Sequence, residues 1–376
     1  MKITISLFIY ILAGGYLAYL LWEGWDTHRQ RRRIAHLVYV NGTRGKSTVT
    51  RLIDGGLRGG GLRVFCKTTG TLPMIIGTDG VEKPLRRRGP ANIGEQRCIL
   101  RRAAQEGAQV LVIECMALDP YLQWFSQHRM LRADVGVITN VRMDHRAEMG
   151  NTLEDICRAL CTTIPEKGRI FTADSAFFPQ IQAAARQRGS EAILALPQGE
   201  EKALFPENEA LALAVCQALG VGREAALSGM AGYKPDPFSL SIHRFPRGAI
   251  FVNALSVNDP QSTELALERV VQRQGLGNRR LILLLNNRQD RGYRTRDLLE
   301  LAKKLKPAEV WLLGGAQAYA RRVLRALCVP IRCFKTQAEL PLGSLGEQDL
   351  IFAAGNIAGD GIALMERVRK EAQENV

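Results

Sequence analysis

Apolar positions along this chain fall into three kinds of run. The first is one unbroken stretch, ITISLFIYILAGGYLAYLLW (Ile3–Trp22), 20 residues without a charge. At about 1.5 Å of rise per residue, a helix of that length spans roughly 30 Å, the thickness of a hydrocarbon core. The second kind is short, apolar and closed by polar residues: LVYV (37–40), VLVIECM (110–116) and VGVITN (135–140). Such runs predict buried parallel strands. AIFVNAL (249–255), LILLLNN (281–287), VWLLGG (310–315) and LIFAAGN (350–356) repeat the pattern further along. The third kind is amphipathic and separates the strands. Val49, Leu52, Ile53 and Leu57, for example, recur at helical spacing.

Strands alternating with helices predict an α/β protein with two parallel sheets. KPDPF (234–238) breaks the chain between them. The expected organisation is a transmembrane anchor over 1–25, a basic juxtamembrane linker over 26–36, a P-loop central domain over 37–236 and a smaller Rossmann-like α/β domain over 237–376. A length of 376 residues accords with two soluble domains plus an appendage. Only Lys2 precedes the apolar run, HRQRRR (28–33) follows it, and no small-x-small cleavage site separates the two. A single anchor with the rest of the chain cytoplasmic therefore fits better than a cleaved signal peptide. Tyr10, Tyr16, Tyr19, Trp22 and Trp25 offer interfacial anchors.

Charge widens the field of partners rather than narrowing it. The net charge of +14 suits nucleic acid, anionic lipid or a polyanionic substrate. No stretch interleaves aromatics with basic residues as a nucleic-acid platform would, so nucleic acid is not an expected partner. Arg86-Arg87-Arg88 reads as a solvated loop. The eight cysteines contain no CxxC pair and read as buried cytosolic thiols, with Cys157 and Cys161 on one helix face.

The most chemically specific stretch is NGTRGKST: Asn41, Gly42, Thr43, Arg44, Gly45, Lys46, Ser47 and Thr48. It lies between a strand and an amphipathic helix. Gly42 and Gly45 let the backbone bend close to phosphates, and the helix start offers free N–H groups and a positive dipole end. Lys46 is placed to reach the β/γ-phosphates, and the Ser47 hydroxyl to ligate Mg²⁺. The spacing is shorter than the usual Walker A loop, because Val40 stands where the first glycine would be. Glu114 and Asn140 fall at strand ends, where ligands gather in open α/β sheets, and MDH (143–145) follows. A carboxylate and an imidazole there suit a second Mg²⁺.

NGTRGKSTVTRL, CKTTGT (66–71), GPANIGEQ (89–96), ECMALDP (114–120) and TNVRMDHRAEMG (139–150) together resemble the Mur-ligase-like ATP-dependent amide ligases. More narrowly, they are similar to the membrane-bound ligase subunits of poly-γ-glutamate (capsule) synthases, which use a shortened phosphate loop. The resemblance runs from about Val38 to the end of the chain. It implies ATP and Mg²⁺ as cofactors, glutamate and a growing poly-γ-glutamate chain as substrates, and other membrane subunits of a synthase and export complex as partners. It also implies a single-pass position in the cell (inner) membrane.

The same resemblance implies residue roles. Lys46, Glu114 and His145 are catalytic, with Ser47, Glu114 and His145 as metal ligands and Asn140 orienting that site. Thr68, Thr69 and Thr71 face the γ-phosphate or the acceptor carboxylate, while Asn92, Glu95 and Gln96 contact substrate. Asn208 approaches adenine, and Asn253 and Asp259 lie near the nucleotide. Arg288, Asp290 and Arg291, in NNRQDR (286–291), contact phosphate and substrate, and GNIAGDG (355–361) is a third loop. One departure stands out. Where Mur-type enzymes carry a carbamylated lysine beyond the metal-binding histidine, this chain reads CRALCTTIP (157–165). Two other readings share these motifs: a Mur-like ligase acting on a different carboxylate, and a membrane-anchored regulatory ATPase or autokinase of an export complex. The autokinase class often carries a tyrosine cluster, which RVRKEAQENV (367–376) lacks.

Overall fold

The computed structural model describes residues 2–70, 72–87, 89–198, 204–257, 259–289 and 292–372. It divides into two units, Met1–Lys234 and Pro235–Val376.

The first unit opens with helix α1 (Lys2–Arg31). From Leu7 to Arg31 it is long and apolar enough to cross a membrane by length and composition, and its apolar window is 0% buried. Residues 26–31, expected as linker, are instead the last turns of this helix. Two things hold them helical. His28, Arg29 and Arg31 suit the negative end of the helix dipole, and Asp26 and Glu23 bind Arg101 and Arg97 on helix α3 (Glu95–Gln105).

An eight-stranded sheet follows: β1 (His36–Asn41), β2 (Val64–Thr68), β3 (Met74–Ile76), β4 (Glu82–Pro84), β5 (Val110–Glu114), β6 (Val135–Ile138), β7 (Arg169–Thr172) and β8 (Glu191–Leu194). Their order is β4-β3-β2-β5-β1-β6-β7-β8. The strands from β2 to β8 in that order are parallel, and β3 and β4 add an antiparallel edge. β1 buries side chains on both faces. Val38 and Val40 pack with Val49, Ile53 and Leu57 of helix α2 (Lys46–Gly59), whereas Leu37 and Tyr39 pack with Ile99 and Leu100 of α3. Each fully buried aliphatic side chain contributes about 1.5–3 kcal/mol, which is why the 37–40 run reads as a central strand. Register then aligns the carboxyl ends: Val40 pairs with Glu114 on one side, and Asn41 with Ile138 on the other.

The second unit holds six strands: β9 (Ser241–Arg244), β10 (Ile250–Ala254), β11 (Arg280–Asn287), β12 (Glu309–Gly314), β13 (Ile331–Cys333) and β14 (Asp349–Gly355), in the order β13-β12-β11-β14-β10-β9. Five are parallel, but β9 pairs with β10 antiparallel, so this sheet is mixed where a parallel one was expected. The cause is local: a tight turn closed by Phe245 N–H on Ala249 O, with Gly248 at φ 85°, folds β9 straight back onto β10. The cysteines also differ from expectation. All eight are free, but Cys98, Cys328 and Cys333 are exposed.

Candidate active site

The phosphate loop is held by its neighbours before any ligand arrives. Asn41 ends β1 with its amide turned inward: Nδ2 donates to Gln123 Oε1 at 2.8 Å and Oδ1 accepts Gly42 N–H at 2.8 Å. These bonds shape the start of the loop. The segment after β6 grips the other side. Asn140 Oδ1 accepts Arg44 N–H at 3.0 Å, its Nδ2 donates to Arg44 O at 3.1 Å, and its carbonyl accepts Thr43 N–H at 3.0 Å. Thr139 Oγ1 donates to Arg44 O at 2.5 Å, and Thr43 Oγ1 accepts Arg142 N–H at 3.1 Å. Asn140, expected beside a metal, therefore orients the loop itself.

Glycine is required at both bends. Gly42 has φ 128°, and a methyl there would meet Thr139 Oγ1 and, at 2.7 Å, the Thr139 backbone nitrogen. Gly45 has φ 79°, and its methyl would come within 2.9 Å of Asn208 Oδ1. Asn208, near the start of the helix Pro206–Ala218, thus packs against the loop at Gly45. We expect Gly42→Ala to lower nucleotide turnover by about 100-fold, the effect of misplacing a positioning element by about 1 Å. Steady-state ADP formation checks this, and activity within twofold of the parent would contradict it.

Gly45 precedes α2 without any side-chain cap. The N–H groups of Lys46, Ser47 and Thr48 in the first turn are therefore not engaged by a capping side chain, which is the arrangement that receives phosphate oxygens. Lys46 Nζ curls back to donate to Gly42 O at 2.6 Å. Burial pushes its pKa down, and the Glu114 carboxylate opposes that shift. Ser47 Oγ donates to Glu114 Oε2 at 2.8 Å, and the same oxygen accepts Thr69 N–H at 2.6 Å. Glu114 is 2% exposed. A hydroxyl and a carboxylate beside an uncapped helix start form a donor set for a hard divalent cation. Thr68, at the end of β2, is buried with an unpartnered Oγ1.

His145 lies in the segment that follows β6. It adopts a left-handed conformation (φ 50°), and its Nε2 lies 3.3 Å from Asp144 Oδ2. Asp144 is buried and also accepts from Arg44 Nη2 at 2.6 Å. Ser47 and Glu114 pair with each other, and His145 contacts Asp144. Among the described residues no group of three or more His, Cys, Asp or Glu side chains is arranged to hold a metal ion. Within MDH, Asp144 carries no local sequence signal of its role, because its partner Arg44 lies 100 residues away in the chain.

The residues of GPANIGEQ are mostly supports. Asn92 is exposed, and its Oδ1 accepts Gly94 N–H at 2.9 Å, leading into α3. Gln96 is fully buried and donates to Glu114 O at 3.3 Å, which steadies the end of β5. Glu95 pairs with the fully buried Lys67 at 2.8 Å and with Arg87 at 2.6 Å. Arg87 is therefore part of an ion-pair network and not simply solvated. Nothing within CKTTGT marks Lys67 as buried, since its partner Glu95 is supplied by α3.

In the second unit, Asn253 is buried; its Nδ2 donates to Ser239 O, just before β9, at 3.1 Å and to Ser241 Oγ of β9 at 3.4 Å. Asp259 caps the helix Pro260–Gln274 by accepting Ser262 N–H at 2.8 Å. Strand ends gather at Asn286, Asn287, Gly314 and Gly355: Asn286 O accepts Asn356 N–H at 2.9 Å and Asn287 O accepts Gly315 N–H at 2.8 Å. Asn287 is 2% exposed with both amide side-chain atoms unpartnered. It is followed by the half-buried Arg288. Thr71, Asp290 and Arg291 lie outside the described residues.

Comparison with known proteins bears on this geometry. A model of the Mur ligase middle domain matches residues 40–211, and one described as the poly-gamma-glutamate synthase CapB C-terminal domain matches residues 241–371. The PGA synthase CapB of Bacillus subtilis (strain 168) is 34% identical over 355 residues, covering 89% of this chain and 90% of that protein. The capsule biosynthesis protein CapB of Bacillus anthracis is 39% identical over 305 residues. That match covers 76% of this chain and 65% of the relative, just under two thirds of its length. Among solved structures, a Yersinia pestis folylpolyglutamate synthase/dihydrofolate synthase complexed with AMPPNP and Mn ion aligns with a TM-score of 0.70 at 15% identity, covering 94% of this chain and 97% of that one. MurF from Acinetobacter baumannii aligns with a TM-score of 0.66 at 17% identity, covering 93% and 80%. At such identities these two show the fold.

The loop and the Ser47–Glu114 pair lie within the segment that matches the Mur ligase middle domain, on a fold shared with MurF. The chain belongs to the CapB family.

Proposed function

We propose that this chain is an ATP-dependent amide ligase that joins glutamate through its γ-carboxyl group into poly-γ-glutamate. The observation that carries the reading is the conjunction of the uncapped start of α2, Lys46 and the Ser47–Glu114 pair at adjoining strand ends. Membership of the CapB family supplies the substrate class. ATP is the co-substrate. A carboxylate oxygen of the acceptor takes the γ-phosphoryl group, giving an acyl phosphate and ADP. The amine of the incoming glutamate then adds to the acyl carbon, and phosphate leaves as the amide forms.

The protein's share is positioning and charge neutralisation. Loop amides and Lys46 hold phosphate oxygens, Ser47 and Glu114 are the residues that would hold Mg²⁺, and Mg²⁺ supplies charge compensation at the transferring phosphoryl group. Thr68, with its unpartnered hydroxyl, and Thr69 border that pair from β2. In this reading α1 seats the chain in the cell membrane, the catalytic units face the cytoplasm, and other membrane subunits complete the synthase.

Nucleotide product analysis with and without glutamate tests the reading. ADP formation stimulated by L- or D-glutamate, with phosphate released in equal amount, is the expected result. AMP as product, or ATP turnover indifferent to glutamate, would overturn it.

A further inference from the structure

The first unit carries a second concavity that the ligase site does not use. A cavity of about 420 Å³ is lined by Trp124, His128, Arg129 and Arg132, among others. Its wall is unusual backbone. The helix Pro120–Phe125 passes into a single π-helical turn, Ser126–Leu131. Such turns are rare and are frequent at functional sites. This one ends at Arg132 in a left-handed conformation (φ 48°), uncommon for a bulky side chain. Gln127 enforces the ending: its carbonyl accepts Arg132 N–H at 2.7 Å, and its buried amide donates to Ala133 O at 3.1 Å.

The turn sets cations around aromatic faces. The Arg129 guanidinium lies 5.5 Å over the Trp124 ring, and Trp124 stacks on Tyr121 at 5.9 Å. His128 lies 3.0 Å from Arg188 Nη1 and 3.0 Å from Thr162 O. One carboxylate, Glu166, also lines the cavity; it lies 3.5 Å from His128 Nδ1, and its side chain is 73% exposed at the rim.

Position narrows the choice of ligand. Arg132 Nη1 meets His28 Nδ1 of α1 at 3.1 Å, and Arg132 O accepts from Arg31 Nε at 3.1 Å. His28 lies about 9 Å along the helix from Trp22, the end of the apolar run, at 1.5 Å per residue. The headgroup layer on each side of a bilayer is about 5–8 Å thick. For a helix along the bilayer normal, His28 then stands at the aqueous border of that layer, and Arg132 meets it there. Tyr121 and Trp25, 64% and 57% exposed, suit the same depth.

We propose that this cavity takes the phosphate headgroup of an anionic glycerophospholipid from the bilayer that holds α1. The inference rests on the membrane reading given above. Guanidinium groups bind phosphate oxygens through paired hydrogen bonds, and juxtamembrane cations favour anionic lipid. With α1 as one attachment and a bound lipid as a second, rotation of the catalytic unit about the anchor is restrained.

Native mass spectrometry of the full chain in detergent, titrated with phosphatidylglycerol, phosphatidylcholine or soluble glycerol phosphate, tests the site. One retained phosphatidylglycerol is expected, bound at least tenfold more weakly by the double variant Arg129→Gln, Arg132→Asn. Asparagine tolerates the left-handed backbone, and the exposed Arg129→Gln alone serves if the double variant melts early. Equal retention by the variant, equal retention of phosphatidylcholine, or glycerol phosphate bound as tightly as the lipid would each overturn the proposal. Membrane fractionation of the same protein separates the two readings. Membrane-bound protein without lipid selectivity rejects the headgroup site alone, whereas soluble protein rejects the anchor beneath it.

Discussion

Lys46→Met is expected to lower glutamate-dependent ADP formation by about 1,000-fold, the effect of removing a preorganised charge from a phosphoryl-transfer site. The folded protein should be no less stable. The Lys46 ammonium donates to two loop carbonyls, Gly42 O and Thr43 O. Burial pushes its pKa down, with Glu114 as the main opposing charge. The unfolded chain therefore binds more protons than the folded one between the lowered folded pKa and the ordinary lysine value of 10.5. Stability carries a cost below that window and recovers it as pH rises through the window. Methionine keeps the aliphatic stem and removes the cost, so thermal melting at pH 7 should be unchanged or slightly higher. A variant that loses activity and melts early would mark Lys46 as a structural residue. One that keeps activity within tenfold would remove it from the phosphate site.

What the sequence revealed, and what it hid, follows from how far each residue's role is local. LVYV, the glycine bends and the Val49–Leu57 stripe act within one strand–turn–helix unit, so spacing alone located the phosphate loop. Glu114 was legible because it ends an apolar run, and the carboxyl ends of parallel strands lie side by side. The partners of those residues were not legible. Thr139 and Asn140 grip Arg44 across a separation of 95 or more residues. Asn140, Asn253 and Asp259 look alike in sequence, as polar residues at strand or loop ends. Only their hydrogen bonds show that the first clamps a loop, the second ties an edge strand and the third caps a helix. His145 stood out in the sequence by type and position, whereas its contact with Asp144 and its left-handed backbone appear only in the structure.

Glu95 separates a site role from a structural one most sharply, and Glu95→Gln is expected to destabilise the first unit by about 3–5 kcal/mol. Lys67 is fully buried and lies 2.8 Å from Glu95. Taking away the carboxylate leaves an ammonium that water cannot reach, and breaking a buried pair from one side costs more than the pair itself contributes. For a unit of this size the melting temperature should fall by about 10 °C or more. Lys67→Met in the Glu95→Gln background should recover most of that loss, because the uncompensated charge is then gone. The acid side gives an independent check. Burial pushes the Glu95 pKa up, but hydrogen bonds from Arg87 and Lys67 outweigh it and hold the folded value below 4.5. Its contribution is complete above 4.5 and is lost as pH falls through the lowered folded value. Melting curves of parent and Glu95→Gln should therefore converge in acid. An unchanged melting temperature with a raised KM for glutamate would instead make Glu95 a substrate contact, and the ion pair with Lys67 incidental.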